Sequence, residues 1–195
     1  INDLLVLLAR KGRRVVRLKG GDPFIFGRGS EEALVLASQG VPFEIVPGIT
    51  AAAGIGAEVG IPLTHRGLAT GFRVVTGHCR EDAELTLDWQ GLADPQTTVV
   101  FYMSLANLRQ ISNRLIGAGR APTTPVAAIS CGTTPDQAQC LTTLARLPEA
   151  VEKAGLKAPT LLIVGEVASL AKDLNWRALH WIVDEADDAD RQANA

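Results

Sequence analysis

The residues best suited to chemistry lie in one glycine-rich stretch, KGGDPFIFGRGSEE, at residues 19–32. Gly20 and Gly21 let the backbone approach another molecule without a Cβ atom in the way. Asp22 precedes a proline and is therefore expected in an extended turn. Residues 24–26 are all apolar, which is costly in a loop unless something covers them. This stretch therefore predicts a site for a partly hydrophobic ligand. The alternative is an ordinary α/β loop that contains several glycines.

Two familiar phosphate-binding loops do not fit this stretch. A dinucleotide fingerprint GxGxxG that began at Gly27 would need a third glycine where Glu32 stands. A GxxxxGK loop that began at residue 20 or 21 would need glycine at Ile25 or Phe26. Neither motif therefore describes the loop.

Nucleophilic and metal chemistry have little support elsewhere in the chain. No GxSxG serine motif occurs, and no histidine is paired with a cysteine. The histidines and cysteines lack metal-ligand spacing and are better explained as surface or packed residues (His65, His78, His180; Cys79, Cys131, Cys140). We expect no metal. An enzyme without a nucleophile often works by positioning two reactants.

Composition narrows the class of protein. The chain has 195 residues, a net charge of −2, 47% hydrophobic and 21% charged residues, as is typical of a soluble globular protein. No membrane span or signal peptide is visible, so we predict a cytoplasmic protein with free thiols and no membrane partner. Aromatics are only 5%, which argues against nucleic acid. Residues 1–30 hold seven basic side chains against two acids. A solvated surface explains most of them, and a polyanionic ligand near the glycine loop would explain some.

Hydrophobic patterning predicts an α/β protein with a boundary at residues 60–71. Before the boundary we predict a helix capped by Asn2 or Asp3, a buried strand at 15–18, a helix at 30–39 capped by Ser30, a strand at 43–46 and a helix at 50–59. These four later elements would form a parallel half-domain.

After the boundary the pattern is mixed. We predict strands at 72–76, 97–102, 126–130, 139–144 and 160–164, with helices at 104–116 and 148–153. The third and fourth of these strands should form an antiparallel pair. The domain assignment is 1–66 for the C-terminal part of the first lobe, 67–178 for the second lobe, and 179–195 for an acidic tail whose end is expected to be disordered.

Four motifs carry a resemblance to a known family. They are GGDPFIFGRG at 20–29, PGITAA at 47–52, VVFYM at 99–103 and CGTTPDQ at 131–137. Together they resemble the signature of uroporphyrinogen-III C-methyltransferases, within the tetrapyrrole (corrin/porphyrin) methylase family. The resemblance covers roughly residues 1–176.

The resemblance implies two αβα lobes with the active site in the cleft between them. The first lobe would hold a parallel sheet, incomplete here because its N-terminal part is expected to precede Ile1, and the second a mixed sheet. It implies a homodimer that methylates uroporphyrinogen III at C2 and C7 with S-adenosylmethionine, giving precorrin-2 for sirohaem or cobalamin synthesis. The alternatives are methylation of a later precorrin, or a non-catalytic cofactor- or tetrapyrrole-binding fragment. The chain alone is expected to bind S-adenosylhomocysteine weakly.

The resemblance also implies the site residues. Eight would contact the cofactor: Gly20, Gly21, Asp22, Ile25, Thr50, Ala51, Met103 and Gly132. Asp22 could instead be a turn residue, and Met103 could fill the core.

The tetrapyrrole substrate carries eight carboxylates, which suit the planar fork of arginine. Arg28 and Arg66 are the expected contacts, with Met103 beside them. Arg28 and Glu31 are the expected catalytic pair, in which Glu31 orients Arg28 or accepts a pyrrole N–H. The alternative for Glu31 is a solvent-facing charge at a helix N-terminus.

Overall fold

A computed structural model describes residues 1–78 and 84–183, and these residues divide into two compact units. The first unit comprises residues 1–50 and the second begins at Ala51. This division lies ahead of the predicted boundary at 60–71, so residues 51–66 group with the second unit. Cys79 and most of the predicted acidic tail (184–195) lie outside the described residues.

Two helices form the ordered frame of the first unit. They are α1 (Asn2–Arg10) and α2 (Gly29–Ser38), which pack against each other. Neither begins where the sequence predicts. Ile1 is the N-cap of α1, in place of Asn2 or Asp3, and Arg28 is the N-cap of α2, in place of Ser30. Neither N-cap residue makes a side-chain hydrogen bond, so side-chain capping does not determine where these helices begin.

The two strands predicted in the first unit are absent, although the structure describes all of residues 1–50. Val16 and Leu18 are each 82% exposed, which contradicts a buried strand. Residues 15–18 and 43–46 make no backbone hydrogen bonds to each other, and instead both border a groove of about 740 Å³. A strand requires a ladder of hydrogen bonds to a neighbour. These apolar runs therefore do not form strands, and the predicted parallel first-lobe sheet is not formed in residues 1–50.

The second unit is built on one six-stranded mixed sheet. Its strands are β1 (Gly71–Thr76), β2 (Thr97–Tyr102), β3 (Pro125–Ser130), β4 (Ala138–Thr143), β5 (Thr160–Val164) and β6 (Ile182–Val183). Their order across the sheet is β1-β2-β5-β3-β4-β6. The predicted mixed sheet and the predicted antiparallel β3–β4 pair are both confirmed. The short strand β6, which pairs parallel to β4, has no sequence signal of its own.

Helical elements cover both faces of this sheet. They are α3 (Ala51–Glu58), α4 (Trp89–Leu92), α5 (Leu108–Gly117) and α6 (Leu147–Lys153), with 3₁₀ turns at Leu105–Asn107, Leu144–Arg146 and Glu166–Ala171. The central strands are buried on both faces, as their continuous apolar sequences predict. In β2, Val99 and Phe101 join the core beneath α5 and α6, while Val100 joins the core beneath α3. No helix of the described residues is long and apolar enough to cross a membrane.

The direction of the strands determines at which edge of the sheet a ligand can bind. β1 runs parallel to β2, and β2 and β3 are both antiparallel to β5. β1, β2 and β3 therefore end at the same edge of the sheet. In open α/β sheets this carboxyl edge is where ligands bind.

Candidate active site

Asp22 joins two loops of the first unit. One carboxylate oxygen (Oδ1) accepts a hydrogen bond of 2.8 Å from the N–H of Phe24, and the other (Oδ2) accepts one of 3.0 Å from the N–H of Gly48. These backbone donors, Gly48 foremost, lower the pKa of Asp22. The contacts give Asp22 the turn role that the sequence left open, and they hold the glycine-rich loop against the PGITAA motif. A cofactor contact by Asp22 stays a prediction.

Three glycines are required by close approach of backbone to backbone. A Cβ on Gly27 would lie 2.7 Å from the carbonyl oxygen of Pro23, and one on Gly29 would lie 2.5 Å from the same oxygen. A Cβ on Gly48 would lie 2.5 Å from the carbonyl oxygen of Gly21. Gly21 itself has φ +117°, a conformation that L side chains rarely adopt. The loop is therefore wound tightly on its own backbone, with no room for larger residues.

The apolar residues of the loop remain open to contact. Phe24 is 55% exposed, Ile25 40% and Phe26 42%. The first unit leaves much of these side chains uncovered, as a site for a partly hydrophobic ligand requires. Gly20 has no atom within 4 Å of where its Cβ would stand, so its backbone is also accessible.

Arg28 and Glu31 form the predicted pair. The Nε and Nη2 atoms of Arg28 donate hydrogen bonds of 2.9 Å and 2.7 Å to the same oxygen (Oε2) of Glu31. This contact raises the pKa of Arg28 and lowers that of Glu31. Both side chains are largely exposed, at 79% and 56%. The guanidinium is therefore oriented by Glu31 at the surface, in reach of a ligand from solvent, while the catalytic role of the pair stays a prediction.

In the second unit, the N-terminus of α3 is held at the carboxyl end of β2. The hydroxyl of Tyr102 accepts a hydrogen bond of 2.7 Å from the N–H of Ala52. Ala51 begins this helix, and Met103 follows Tyr102 directly. Met103 is 53% exposed and has φ +54°, so the thioether does not fill the core of this unit. Ala51 and Met103 are thus brought to the same end of the sheet.

Gly132 adds the carboxyl end of β3 to this arrangement. A Cβ on Gly132 would lie 2.5 Å from both Cγ1 and Cδ1 of Ile55, on α3. Cys131 and Thr133, on either side, have φ of +49° and +67°. Residues in sparsely populated conformations persist only where their surroundings hold them, and they cluster at functional sites. Ala51 therefore begins α3 and Gly132 packs against it, while Met103 follows the tyrosine that binds its N-terminus.

The remaining predicted residues divide between the units. Gly20, Gly21, Asp22, Ile25 and Thr50 lie in the first unit, where a Cβ on Gly21 would lie 3.9 Å from Cα of Thr50. Arg66 lies in the second unit, exposed in the tight turn from His65 to Ala69. Among residues 1–78 and 84–183, no group of three His, Cys, Asp or Glu side chains could hold a metal ion.

Sequence reasoning missed several residues that shape the site. Gly48 and Tyr102 lie inside motifs that were recognised, but their partners are 26 and 50 residues away along the chain. Lys19 and Glu32 flank the glycine loop and carry no motif of their own. Only their opposite charges, at the two ends of the loop, could have indicated that Lys19 and Glu32 are in contact.

The fold and the site together define a class of protein. The second unit has a mixed β-sheet with strained residues at its carboxyl edge, and the first has a glycine loop that offers backbone and apolar side chains. Both features are typical of an enzyme that positions a small-molecule cofactor. The chain belongs to the tetrapyrrole (corrin/porphyrin) methylase family, whose model matches residues 1–148.

Relatives and solved structures agree with this membership. A siroheme synthase of Azotobacter vinelandii is 57% identical over 176 residues, which are 90% of this chain and 38% of that protein. The chain therefore spans less than half the length of this relative. A uroporphyrin-III-C-methyltransferase from Thermus thermophilus has a TM-score of 0.75 at 43% identity, over 89% of this chain and 74% of that one.

Two further solved structures are similar to this chain. The Thermus thermophilus enzyme complexed with S-adenyl homocysteine matches 87% of this chain and 73% of its own, with a TM-score of 0.74 and 39% identity. A cobalt precorrin-4 methyltransferase matches 86% of this chain and 70% of its own, with a TM-score of 0.78 but only 26% identity.

Proposed function

We propose that this chain carries the methyl-transfer site of an S-adenosylmethionine-dependent methyltransferase that acts on uroporphyrinogen III at C2 and C7 and gives precorrin-2. The observation that carries the proposal is the match to the Thermus thermophilus uroporphyrin-III C-methyltransferase in its S-adenyl homocysteine complex, at 39% identity over 87% of this chain. The 57% identity to a siroheme synthase supports the same substrate class.

The residues present fit such a cofactor. When bound, S-adenosylmethionine supplies an electrophilic methyl group on a positively charged sulfonium. In the first unit, Gly20 and Gly21 offer backbone for the adenosine portion, and Ile25 offers exposed apolar surface for the sulfonium. In the second unit, Met103 is likewise an exposed apolar residue. Asp22 keeps the loop in place through Gly48. These groups bind and orient the cofactor, and none of them needs to react.

Arg28 is assigned to the substrate. Its guanidinium would repel a sulfonium, yet it suits a carboxylate, which its planar fork can bind through two hydrogen bonds. Glu31 already occupies two of its nitrogens, Nε and Nη2, and leaves the other donor positions for an incoming acid. Glu31 thereby fixes the direction of the fork. Arg66, exposed in its turn, would contact a second carboxylate.

Two other functions are separated by specific observations. Methylation of a later precorrin is favoured by the TM-score of 0.78 to a cobalt precorrin-4 methyltransferase, but the sequence identity of 26% is well below the 43% found with the uroporphyrin-III enzyme. A non-catalytic binding fragment is the remaining candidate, and it predicts cofactor binding without turnover. We also propose that the protein is a homodimer, which sedimentation would measure. We propose that it is cytoplasmic, which cell fractionation would measure.

The test uses the complete gene product that contains this sequence. It is incubated with S-adenosylmethionine and uroporphyrinogen III, and the product is followed by mass spectrometry for the gain of two methyl groups. A dimethylated product supports the proposal. Turnover of a later precorrin alone would favour the second function, and S-adenosylhomocysteine binding without any product would favour the third.

The matched control for the cofactor site is a pair of valine variants in the first unit. Gly21 and Gly40 both have positive φ, of +117° and +66°, so both variants carry backbone strain. Gly40 lies at the end of α2, away from the glycine loop, and its Cβ would meet no atom within 4 Å. Gly21→Val should lose methyl transfer, whereas Gly40→Val should retain it.

A further inference from the structure

Lys19 connects three points around the glycine loop of the first unit. Its ammonium (Nζ) donates a hydrogen bond of 2.7 Å to the carbonyl oxygen of Gly27, near the end of the loop. The same nitrogen lies 2.7 Å from Oε2 of Glu32, in the first turn of α2. Lys19 itself directly precedes Gly20, where the loop begins. One side chain therefore closes the loop and fixes it to a helix.

Glu32 is held from two sides. Its other oxygen (Oε1) lies 3.2 Å from Nε of Arg17, so both carboxylate oxygens are engaged. The Lys19 contact is the main cause that lowers the pKa of Glu32, and the Arg17 contact adds to it. Glu32 is thereby kept ionised as the anchor of the lysine.

This pair differs from the other ion pair of the loop in its burial. The side chains of Lys19 and Glu32 are 12% and 14% exposed, whereas those of Arg28 and Glu31 are 79% and 56% exposed. Exposed ion pairs contribute little because water and salt screen them. A shielded ammonium between a carbonyl and a carboxylate is screened less, and losing it would leave the Gly27 carbonyl oxygen without its cation and Glu32 with Arg17 alone.

The loop between Lys19 and Glu32 needs such support. Gly21, Phe26 and Arg28 all have positive φ, at +117°, +53° and +55°. For a non-glycine residue this conformation is strained, and it persists only where neighbouring contacts over-determine it. Phe26 is flanked by Gly27, whose carbonyl oxygen Lys19 binds. The lysine therefore acts at the strained part of the loop.

We propose that Lys19 and Glu32 are positioning residues, which hold residues 20–27 in the shape that binds the cofactor without touching it themselves. This inference rests on the proposed function for the identity of the cofactor. The structural part, that the pair determines the shape of the loop, stands without it.

The test compares four forms of the complete gene product: wild type, Lys19→Met, Glu32→Gln and the double variant. Methionine keeps the length of the lysine chain without its charge, and glutamine keeps the shape of the glutamate. Arg10→Met is the matched control, because Arg10 contacts Gln39 in the same unit, away from the loop. Measured are the Kd of S-adenosylhomocysteine by calorimetry, the KM of S-adenosylmethionine and kcat at saturation, and hydrogen exchange of residues 20–29 without ligand.

Each single variant should raise Kd and KM at least tenfold while kcat at saturating cofactor stays within about threefold, because the chemistry is untouched. The double variant should lose less than the sum of the two single losses, because both variants remove the Lys19–Glu32 contact, although each also removes a contact of its own, to Gly27 or to Arg17. Loop amides should exchange faster in all three variants, with α1 and the second unit unchanged. Arg10→Met should behave as wild type.

Unchanged exchange in the loop of folded Lys19→Met would overturn the inference, as would effects of the two single variants that simply add. A fall in kcat with KM unchanged would also overturn it, since it would make Lys19 part of the chemistry. If the wild type binds no S-adenosylhomocysteine, the proposed function fails. In that case hydrogen exchange still decides whether the pair shapes the loop.

Discussion

Gly132→Ala tests how the carboxyl end of β3 packs on α3. The new Cβ would lie 2.5 Å from two carbons of Ile55, where carbons normally stand about 3.5–4.0 Å apart. Ile55 is buried, and its helix is held at the N-terminus by the Tyr102 hydroxyl, so neither partner can retreat freely. Overpacking of this kind costs about 1–3 kcal/mol. In a chain of this size that lowers Tm by roughly 2–4 °C for each kcal/mol.

The assay is urea unfolding of four proteins in a double-mutant cycle. Ile55→Ala alone should cost about 2–5 kcal/mol, because it leaves a cavity. In the double variant the alanine at 132 fills part of that space, so the two costs should sum to more than the measured loss by about 0.5–3 kcal/mol. Gly117→Ala is the control, since its Cβ would meet no atom within 4 Å at the end of α5.

Wild-type stability in Gly132→Ala, or strictly additive costs in the double variant, would refute this packing. S-adenosylhomocysteine affinity then separates the two roles of the residue. If Gly132 contacts the cofactor as the sequence predicts, affinity stays low in the double variant even though the overpacking is relieved. If its role is packing alone, affinity recovers in the double variant.

Three further predictions concern the glycine loop. Gly21→Val should abolish S-adenosylhomocysteine binding in calorimetry while the circular dichroism spectrum stays native. A Cβ at φ +117° both strains the backbone and blocks the ligand. Equal affinity in the folded variant would remove this residue from the site. Arg28→Ala should keep near-normal S-adenosylhomocysteine affinity but lose at least about tenfold in methyl transfer. Arg28→Lys should be impaired as well, because lysine keeps the charge but not the planar fork. Loss of affinity with turnover intact at saturating cofactor would assign Arg28 to the cofactor site. The N–H groups that lower the pKa of Asp22 stabilise the folded state above the ordinary carboxyl pKa, and this contribution is lost as the pH falls through the lowered value of the folded protein. Asp22→Asn should therefore lower Tm at neutral pH and reduce the difference in Tm between neutral and acidic pH, and an unchanged pH profile would contradict the Gly48 contact.

Much of the second unit could be predicted from local sequence. β2 begins at Thr97 and ends at Tyr102, as predicted, and β5 matches its prediction equally well. Both are short apolar runs between turn residues, and a strand buried on both faces needs no other signal. The β3–β4 pair followed from two such runs separated by one tight turn.

The same reasoning failed in the first unit. The apolar runs at 15–18 and 43–46 carry a strand signal, but a strand also needs a neighbour to bond with, and neither run finds one in the other. The short helix α4 was missed for the opposite reason. It spans four residues, too few for a periodic pattern, and the Asp88 carboxylate holds it by accepting a hydrogen bond from the N–H of Gly91.

For the site, the sequence by itself determined which residues could meet a ligand. Glycines that bring backbone close, apolar side chains in a loop, and an arginine between two glycines are local properties that one stretch of chain displays. The tertiary structure alone decided which distant contacts hold that stretch, and the N-terminus of α3, in shape. Asp22 reaches Gly48, Lys19 reaches Glu32, and the N–H of Ala52 reaches Tyr102. These contacts join residues 13 to 50 positions apart, and their strength depends on distances of about 3 Å that no local pattern encodes.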